Sequence, residues 1–390
     1  MQAIINGRLV TTDSILSQWA LVFENSRIVA LMPQQNLPSA MPCIDASELY
    51  VSSGWIDAHI HGCGGCDVMD ALPKSLDTIS LLLASQGVTS FLPTTMTMSW
   101  QKIEAALQSL SQASWPGARS LGCHLEGPFL SAARQGAQAP QHLRPFDFSL
   151  LTPYLKQLRL ITIAPEETGG LGFISRCCDA GLIVSIGHSN ATYEEACQAF
   201  AAGASHLTHT FNALSPLHHR QPGAIGAALD LEHVYCEIIA DNLHVHPAMQ
   251  RLLLRQKGVD HLLLVSDSMR AALLGEGRYD LGGQAVNVSN GAARLETGAL
   301  AGSITSLPQE LRNFQTTTAL SLPALLRTVT STAAQSIGVF AAKGSLTPGK
   351  DADFVFFHDD FTVEATYVAG RNVFQRDTGC CSPQHQTNYE

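Results

Sequence analysis

The sequence predicts an α/β protein: a (β/α)8 TIM-type barrel over residues 53–345 and a small β-sandwich built from both chain ends, residues 1–52 and 346–390. Three observations predict it. The middle of the chain repeats one pattern eight times, a short apolar run that ends on a polar or ionisable residue and is followed by a helix-like stretch of alanines and leucines. Both ends instead alternate short apolar runs with turn residues. The length of 390 residues exceeds one ordinary core of about 100 to 200 residues, yet fits a barrel of about 250 residues with a smaller module.

In chain order, Ala3-Ile4-Ile5-Asn6-Gly7-Arg8-Leu9-Val10 places a hairpin-type Asn-Gly between apolar runs, and Trp19-Ala20-Leu21-Val22-Phe23 reads as a further strand. The eight barrel strands follow at residues 55–59, 88–94, 121–126, 158–166, 183–188, 204–209, 236–241 and 262–267. Strands that alternate with helices imply parallel β-α units, and eight of them match a closed barrel. Asp353-Phe354-Val355-Phe356-Phe357 and residues 362–373 return to β structure. Two terminal β pieces most simply share one sandwich, with the barrel inserted between them.

Composition narrows the function. Hydrophobic residues make up 45% and charged residues 14%, enough apolar area for a large core and too little charge for disorder. Acidic residues exceed basic ones by 33 to 23, a net charge of −10, and no basic run is present to follow a phosphate backbone, which argues against nucleic acid as a partner. The opening Met1-Gln2-Ala3-Ile4-Ile5-Asn6 lacks a basic leader, and no segment approaches about 18 uninterrupted apolar residues. The expectation is a soluble cytoplasmic protein with no membrane partner. Ten cysteines in so long a chain read as reduced and unligated: Cys63-Gly64-Gly65-Cys66 is half a zinc knuckle without its second half, and Cys177-Cys178 and Cys380-Cys381 are adjacent pairs.

Six of the eight strands end near a ligand-type side chain: His59 and His61, Glu126, His188, His209, His244 and Asp267. In this fold the C-terminal strand ends face one pocket, so residues spread over the sequence converge there. A zinc-class ion wants neutral imidazole nitrogen and carboxylate oxygen with one position left for water. His59 and His61 lie on one face of a strand, because side chains repeat every two residues. An isolated histidine is usually a surface or hydrogen-bonded residue, and His206, His218, His219, His233 and His261 are read as such. Asp267 has two readings, an N-cap for the next helix or a carboxylate that takes a proton from metal-bound water. Glu166 is read as structural, because Glu167-Thr168-Gly169-Gly170 looks like a solvated turn.

Gly54-Trp55-Ile56-Asp57-Ala58-His59-Ile60-His61-Gly62 resembles the opening of the amidohydrolase superfamily. His124-Leu125-Glu126-Gly127-Pro128-Phe129, Gly187-His188-Ser189-Asn190-Ala191-Thr192, His209-Thr210-Phe211-Asn212-Ala213-Leu214 and Ile239-Ala240-Asp241-Asn242-Leu243-His244-Val245 narrow the resemblance to the N-acetylglucosamine-6-phosphate deacetylases. It runs from Asn6-Gly7 to residues 344–353. The resemblance implies hydrolysis of the acetamide of an N-acetylhexosamine 6-phosphate, N-acetylglucosamine 6-phosphate foremost, to acetate and the amino sugar phosphate. It implies Glu126, His188 and His209 as the main ligands of a divalent metal, Zn2+ foremost, and Asp267 as the catalytic acid and base. His244 would touch the sugar, Asn212 and Ala213 would contact substrate, and Arg220 would reach the phosphate across a homodimer interface. Members with the His59 and His61 pair can hold two ions, so one or two per subunit are expected, with Glu126 able to bridge.

The chain departs from the family at Gln138, where a histidine that helps polarise the acetamide carbonyl is usual. Gln138 can donate an amide N–H but carries no charge, and His142 is an alternative for that role. The change also leaves open a preference for N-acetylgalactosamine 6-phosphate. Further alternatives are another amidohydrolase, such as a dihydroorotase or a D-aminoacylase, and a sugar-phosphate-binding regulator on a dead barrel.

Overall fold

The computed structural model describes residues 1–377; the predicted terminal module from 378 onward, and with it Cys380-Cys381, lies outside the described residues. Eight parallel strands stand in sequence order: β1 (Trp55–Ile60), β2 (Val88–Thr95), β3 (Cys123–Glu126), β4 (Leu158–Ile163), β5 (Ile183–Ile186), β6 (His206–Leu207), β7 (Tyr235–Ile238) and β8 (Leu262–Leu264). Each pairs with the next, and a parallel bridge between Ile60 and Ser268 brings the last back to the first. Asp267 N donates to His59 O at 2.9 Å and His61 N to Ser268 O at 2.9 Å across that seam. All eight predicted strands are present. Several are shorter than their apolar runs, since β4 stops before Glu166 and β6 keeps only two residues.

Ile56, Ala58, Leu92, Leu160, Leu263 and Val265 fill one end of the barrel against Ala333, Ala334 and Ile337, from the region of the short helix Ser331–Ser336. Toward the C-terminal strand ends the interior turns polar. His124 Nε2 lies 2.7 Å from Thr162 Oγ1, and the Thr208 hydroxyl lies 2.8 Å from that of Thr162 and 2.5 Å from that of Ser185. Buried polar groups without partners are costly, and these hydroxyls and His124 Nε2 satisfy one another, while His124 Nδ1 is left without a partner.

A segment within the predicted barrel range has a different structure. After β8 the chain forms a three-stranded antiparallel sheet, Gly277–Leu281, Gln284–Ser289 and Ala292–Leu295, whose Leu281, Val286, Val288 and Ala293 pack with Met96, Met98 and Met269. Strands from both chain ends meet in a six-stranded sheet, where Phe354–Phe357 pairs antiparallel with Tyr50–Ser53. Ile4, Leu21 and Phe23 from the four-stranded sheet share one core with Leu9, Phe354 and Phe356 from the six-stranded one. No described helix is long and apolar enough to cross a membrane.

Candidate active site

The turns after the strands set the site. At Gly187 a Cβ would lie 2.6 Å from Thr162 Cγ2 and 2.7 Å from Thr208 Cβ, so only glycine lets β5 pass so close to its neighbours and deliver His188. His188, His209 and Asp267 then leave their strands with φ of 48°, 28° and 45°. The left-handed region costs a residue with a side chain about 1–2 kcal/mol, and such strain concentrates where a side chain must be aimed.

Glu126 Oε1 lies 3.1 Å from His188 Nε2 and 3.1 Å from His209 Nε2, and the two nitrogens are 3.1 Å apart. Ligands bound at about 2.0–2.1 Å in a tetrahedron stand about 3.3 Å from one another, so this triangle has the spacing of three ligand atoms around one small cation. A second group sits beside it: Asp267 Oδ1 is 3.5 Å from His59 Nε2 and 3.2 Å from His61 Nε2. His59 Nε2 is buried without a hydrogen-bond partner.

The outer nitrogens fix the tautomers. His59 Nδ1 meets Glu237 Oε2 at 3.1 Å, His61 Nδ1 meets Thr94 O at 3.2 Å and His188 Nδ1 meets Arg134 O at 3.1 Å. Carbonyl and carboxylate oxygens only accept, so each Nδ1 carries the hydrogen and each Nε2 offers a lone pair to the centre. The donor set therefore fits a divalent ion of the zinc class. Burial works against charge on Glu126 and Asp267, but His59 and its neighbours outweigh it, holding Glu126 well below the carboxylate range and Asp267 at about 2. Burial likewise lowers His59, while Asp267, Glu126 and Glu237 outweigh it and raise the imidazole to about 9. A cation among the same atoms would displace such protons.

A cavity of about 410 Å³ opens above the cluster, lined by His61, Glu126, Gln138, His188, His209, Asn212, Ala213, His244 and Asp267. His244 Nδ1 lies 2.7 Å from Asp241 Oδ2. Gln138 faces Glu126, and His142 is not among the lining residues. Arg220 stands apart, exposed, on a separate cavity with Arg134, Asn190 and His218, its Nη1 2.7 Å from His219 Nε2. Glu166 is half-buried where the exposed turn 167–169 begins, and it accepts from Ser189 Oγ at 2.7 Å and from Asn190 N, a structural role that braces the loop after His188.

Sequence reasoning passed over three contributors. Glu237 and His124 are buried beside His59, and each has the signal of an ionisable residue inside an apolar strand. Arg294 reaches the same cavity from the antiparallel insertion, whose signals are Gly282-Gly283 and Asn290-Gly291 between alternating runs.

A (β/α)8 barrel whose strand ends gather six candidate histidine and carboxylate ligands below one cavity has the architecture of a metal-dependent hydrolase. Residues 50–373 match the amidohydrolase family and residues 1–47 match the NagA composite domain. The chain belongs to the amidohydrolase family. It is 41% identical over 331 residues to an N-acetylglucosamine-6-phosphate deacetylase of Bacillus subtilis (strain 168), covering 82% of this chain and 84% of that protein. An N-acetylgalactosamine-6-phosphate deacetylase of Escherichia coli O157:H7 is 35% identical, with 93% and 97% covered. The crystal structure of the N-acetylglucosamine-6-phosphate deacetylase from Pasteurella multocida superimposes with a TM-score of 0.90 at 32% identity, over 95% of this chain and 98% of that one. Within the amidohydrolases the chain thus groups with the N-acetylglucosamine-6-phosphate deacetylases.

Proposed function

We propose that the chain hydrolyses the acetamide of an N-acetylhexosamine 6-phosphate, N-acetylglucosamine 6-phosphate foremost, releasing acetate and the amino sugar 6-phosphate. The observation that carries this is the buried Glu126, His188 and His209 triangle beside Asp267, at the floor of a cavity large enough for one sugar phosphate. A divalent ion held by the triangle, Zn2+ by its taste for imidazole and carboxylate, supplies Lewis acidity toward the carbonyl and makes water there more acidic. Asp267, ionised at neutral pH, accepts the proton of the attacking water at a carboxylate oxygen and returns it to the leaving nitrogen. His59 and His61, with Asp267, form a candidate second ion site, so one or two ions per subunit fit the residues. His244, Asn212 and Ala213 line the cavity where the sugar would be oriented.

For the phosphate we assign Arg220, acting in a homodimer on the partner's substrate. Its distance from its own chain's catalytic cavity supports a role in trans, and its planar guanidinium suits bidentate phosphate binding. Arg220→Met is expected to lower kcat/KM for the 6-phosphate about 10-fold to 150-fold, the range of one charge-assisted contact, with little change for the unphosphorylated sugar. Equal losses on both would assign Arg220 to loop or interface structure. A phosphorylated metabolite suits a cytoplasmic enzyme.

A second reading, preference for the galacto epimer, is favoured by the Escherichia coli relative named for that substrate. Acetate release measured side by side on the gluco and galacto 6-phosphates and their unphosphorylated sugars separates the readings. Turnover confined to phosphorylated sugars supports the proposal. Absence of acetate release from both 6-phosphates by metal-loaded protein would overturn it.

A further inference from the structure

The amide of Gln138 has one orientation open to it. Thr97 N donates to Gln138 Oε1 at 2.8 Å, which makes that atom the oxygen, since a backbone N–H only donates. Nε2 therefore faces Glu126 Oε2, at 2.6 Å, and donates to it. Its other hydrogen has Met96 Sδ within 3.7 Å, so both N–H groups have partners inside the protein. Gln138 is 3% exposed and Glu126 1%, so both are largely buried at the cavity wall.

We infer that Gln138 is a positioning residue that sets the Glu126 carboxylate for ion binding. A carboxylate rotates readily about its terminal torsion, whose well is broad. Anchoring Oε2 on a buried N–H turns Oε1 to His188 and His209 and holds the three ligand atoms in register before any ion arrives. The anchor runs back to the main chain of Thr97, beyond β2, so Glu126 on β3 is tied to a neighbouring loop as well as to its own strand. Partners of this kind around a ligating side chain typically govern affinity by about 10- to 100-fold. The inference rests on the reading of Glu126, His188 and His209 as ion ligands, but not on the identity of the substrate.

The test is Zn2+ affinity, by competition with a chelator, in full-length wild type, Gln138→Met, Gln138→His and His188→Ala, together with the melting temperature of each metal-free protein. Gln138→Met keeps the length of the side chain and deletes both the donor to Glu126 and the acceptor of Thr97 N; its affinity is expected to fall about 10- to 100-fold in a metal-free protein that still unfolds cooperatively. Gln138→His retains a ring N–H and a ring nitrogen that accepts, and is expected to stay within about threefold of wild type. Unchanged affinity in Gln138→Met, or a loss in Gln138→His as large as in Gln138→Met, would overturn the inference. If Gln138→Met does not fold, a loss of 10-fold or more in a folded Gln138→His overturns it alone. Wild-type affinity in His188→Ala would instead overturn the assignment of the ion site itself.

Discussion

Asp267 bears the heaviest demand placed on any one side chain, because it must be charged, buried and free to take a proton. Its carboxyl is held at about 2 although burial opposes the charge, since His59 and His61 stand against it. Replacement by Asn keeps size and some hydrogen bonding but removes the base. We expect kcat to fall by at least about 100-fold with the ion of the Glu126, His188 and His209 triangle retained, measured by acetate release and elemental analysis of one preparation; a mild loss would mean that another carboxylate acts. The histidines divide similarly. His188→Ala and His209→Ala are expected to lose metal and activity together, and His59→Ala at most one of two ions; a His59→Ala protein as metal-free as His188→Ala would reverse the assignment of the main site. The convergence of these candidate ligands was legible in the sequence because the barrel sends every C-terminal strand end to one place, so proximity could be read from position. The partners of their Nδ1 atoms went unread: Glu237 was marked only as an ionisable residue inside an apolar strand, and Thr94 O and Arg134 O are main-chain atoms that no sequence pattern marks.

At the scale of elements, regular alternation was readable and interruptions were not. β1 to β8 announce themselves by apolar runs, whereas the sheet at residues 277–295 falls where the helical stretch completing the last β-α unit is expected, and its turn signals were outweighed by the repeat. One ion-paired, mostly covered lysine is part of the junction between barrel and terminal sheets, beside the packing of Val355 and Phe357 against Trp55. Lys343 Nζ donates to Asp353 at 2.6 Å and lies 3.0 Å from Asp351, tying the segment after the short helix at 331–336 to the strand that enters the six-stranded sheet. Burial lowers the lysine, but Asp353 and Asp351 outweigh it and raise it above 10.5. A raised base contributes its stability in full below its unfolded value and loses it only as pH rises beyond the folded one. Lys343→Met, which leaves the Asp353 carboxylate only the Ala369 N–H at 2.7 Å, is expected to cost about 3 kcal/mol. The gap in melting temperature from wild type should stay constant from about pH 6 to 9. A gap that closes within that range would show that the pair is not what the mutation removes.

Across the whole molecule, stability and chemistry occupy different places. Apolar clusters fill the space around the strands and between the terminal sheets, while the candidate ligands gather at the cavity beyond the C-terminal strand ends. Removal of metal by a chelator is therefore expected to abolish turnover while far-UV circular dichroism stays unchanged; loss of the helical signal on chelation would make the ion structural. The resemblance read from the sequence extends over nearly the whole chain and agrees with the family match, because strand-end motifs are short and local. The separation of Arg220 from its own catalytic cavity appears only once the chain is folded. The most direct test of the central claim is to add Zn2+ stepwise to metal-free protein and follow acetate release from N-acetylglucosamine 6-phosphate. The account predicts no acetate without metal and a rate that rises with bound ion to a plateau at one or two equivalents per subunit. Full acetate release before any metal is added would contradict it.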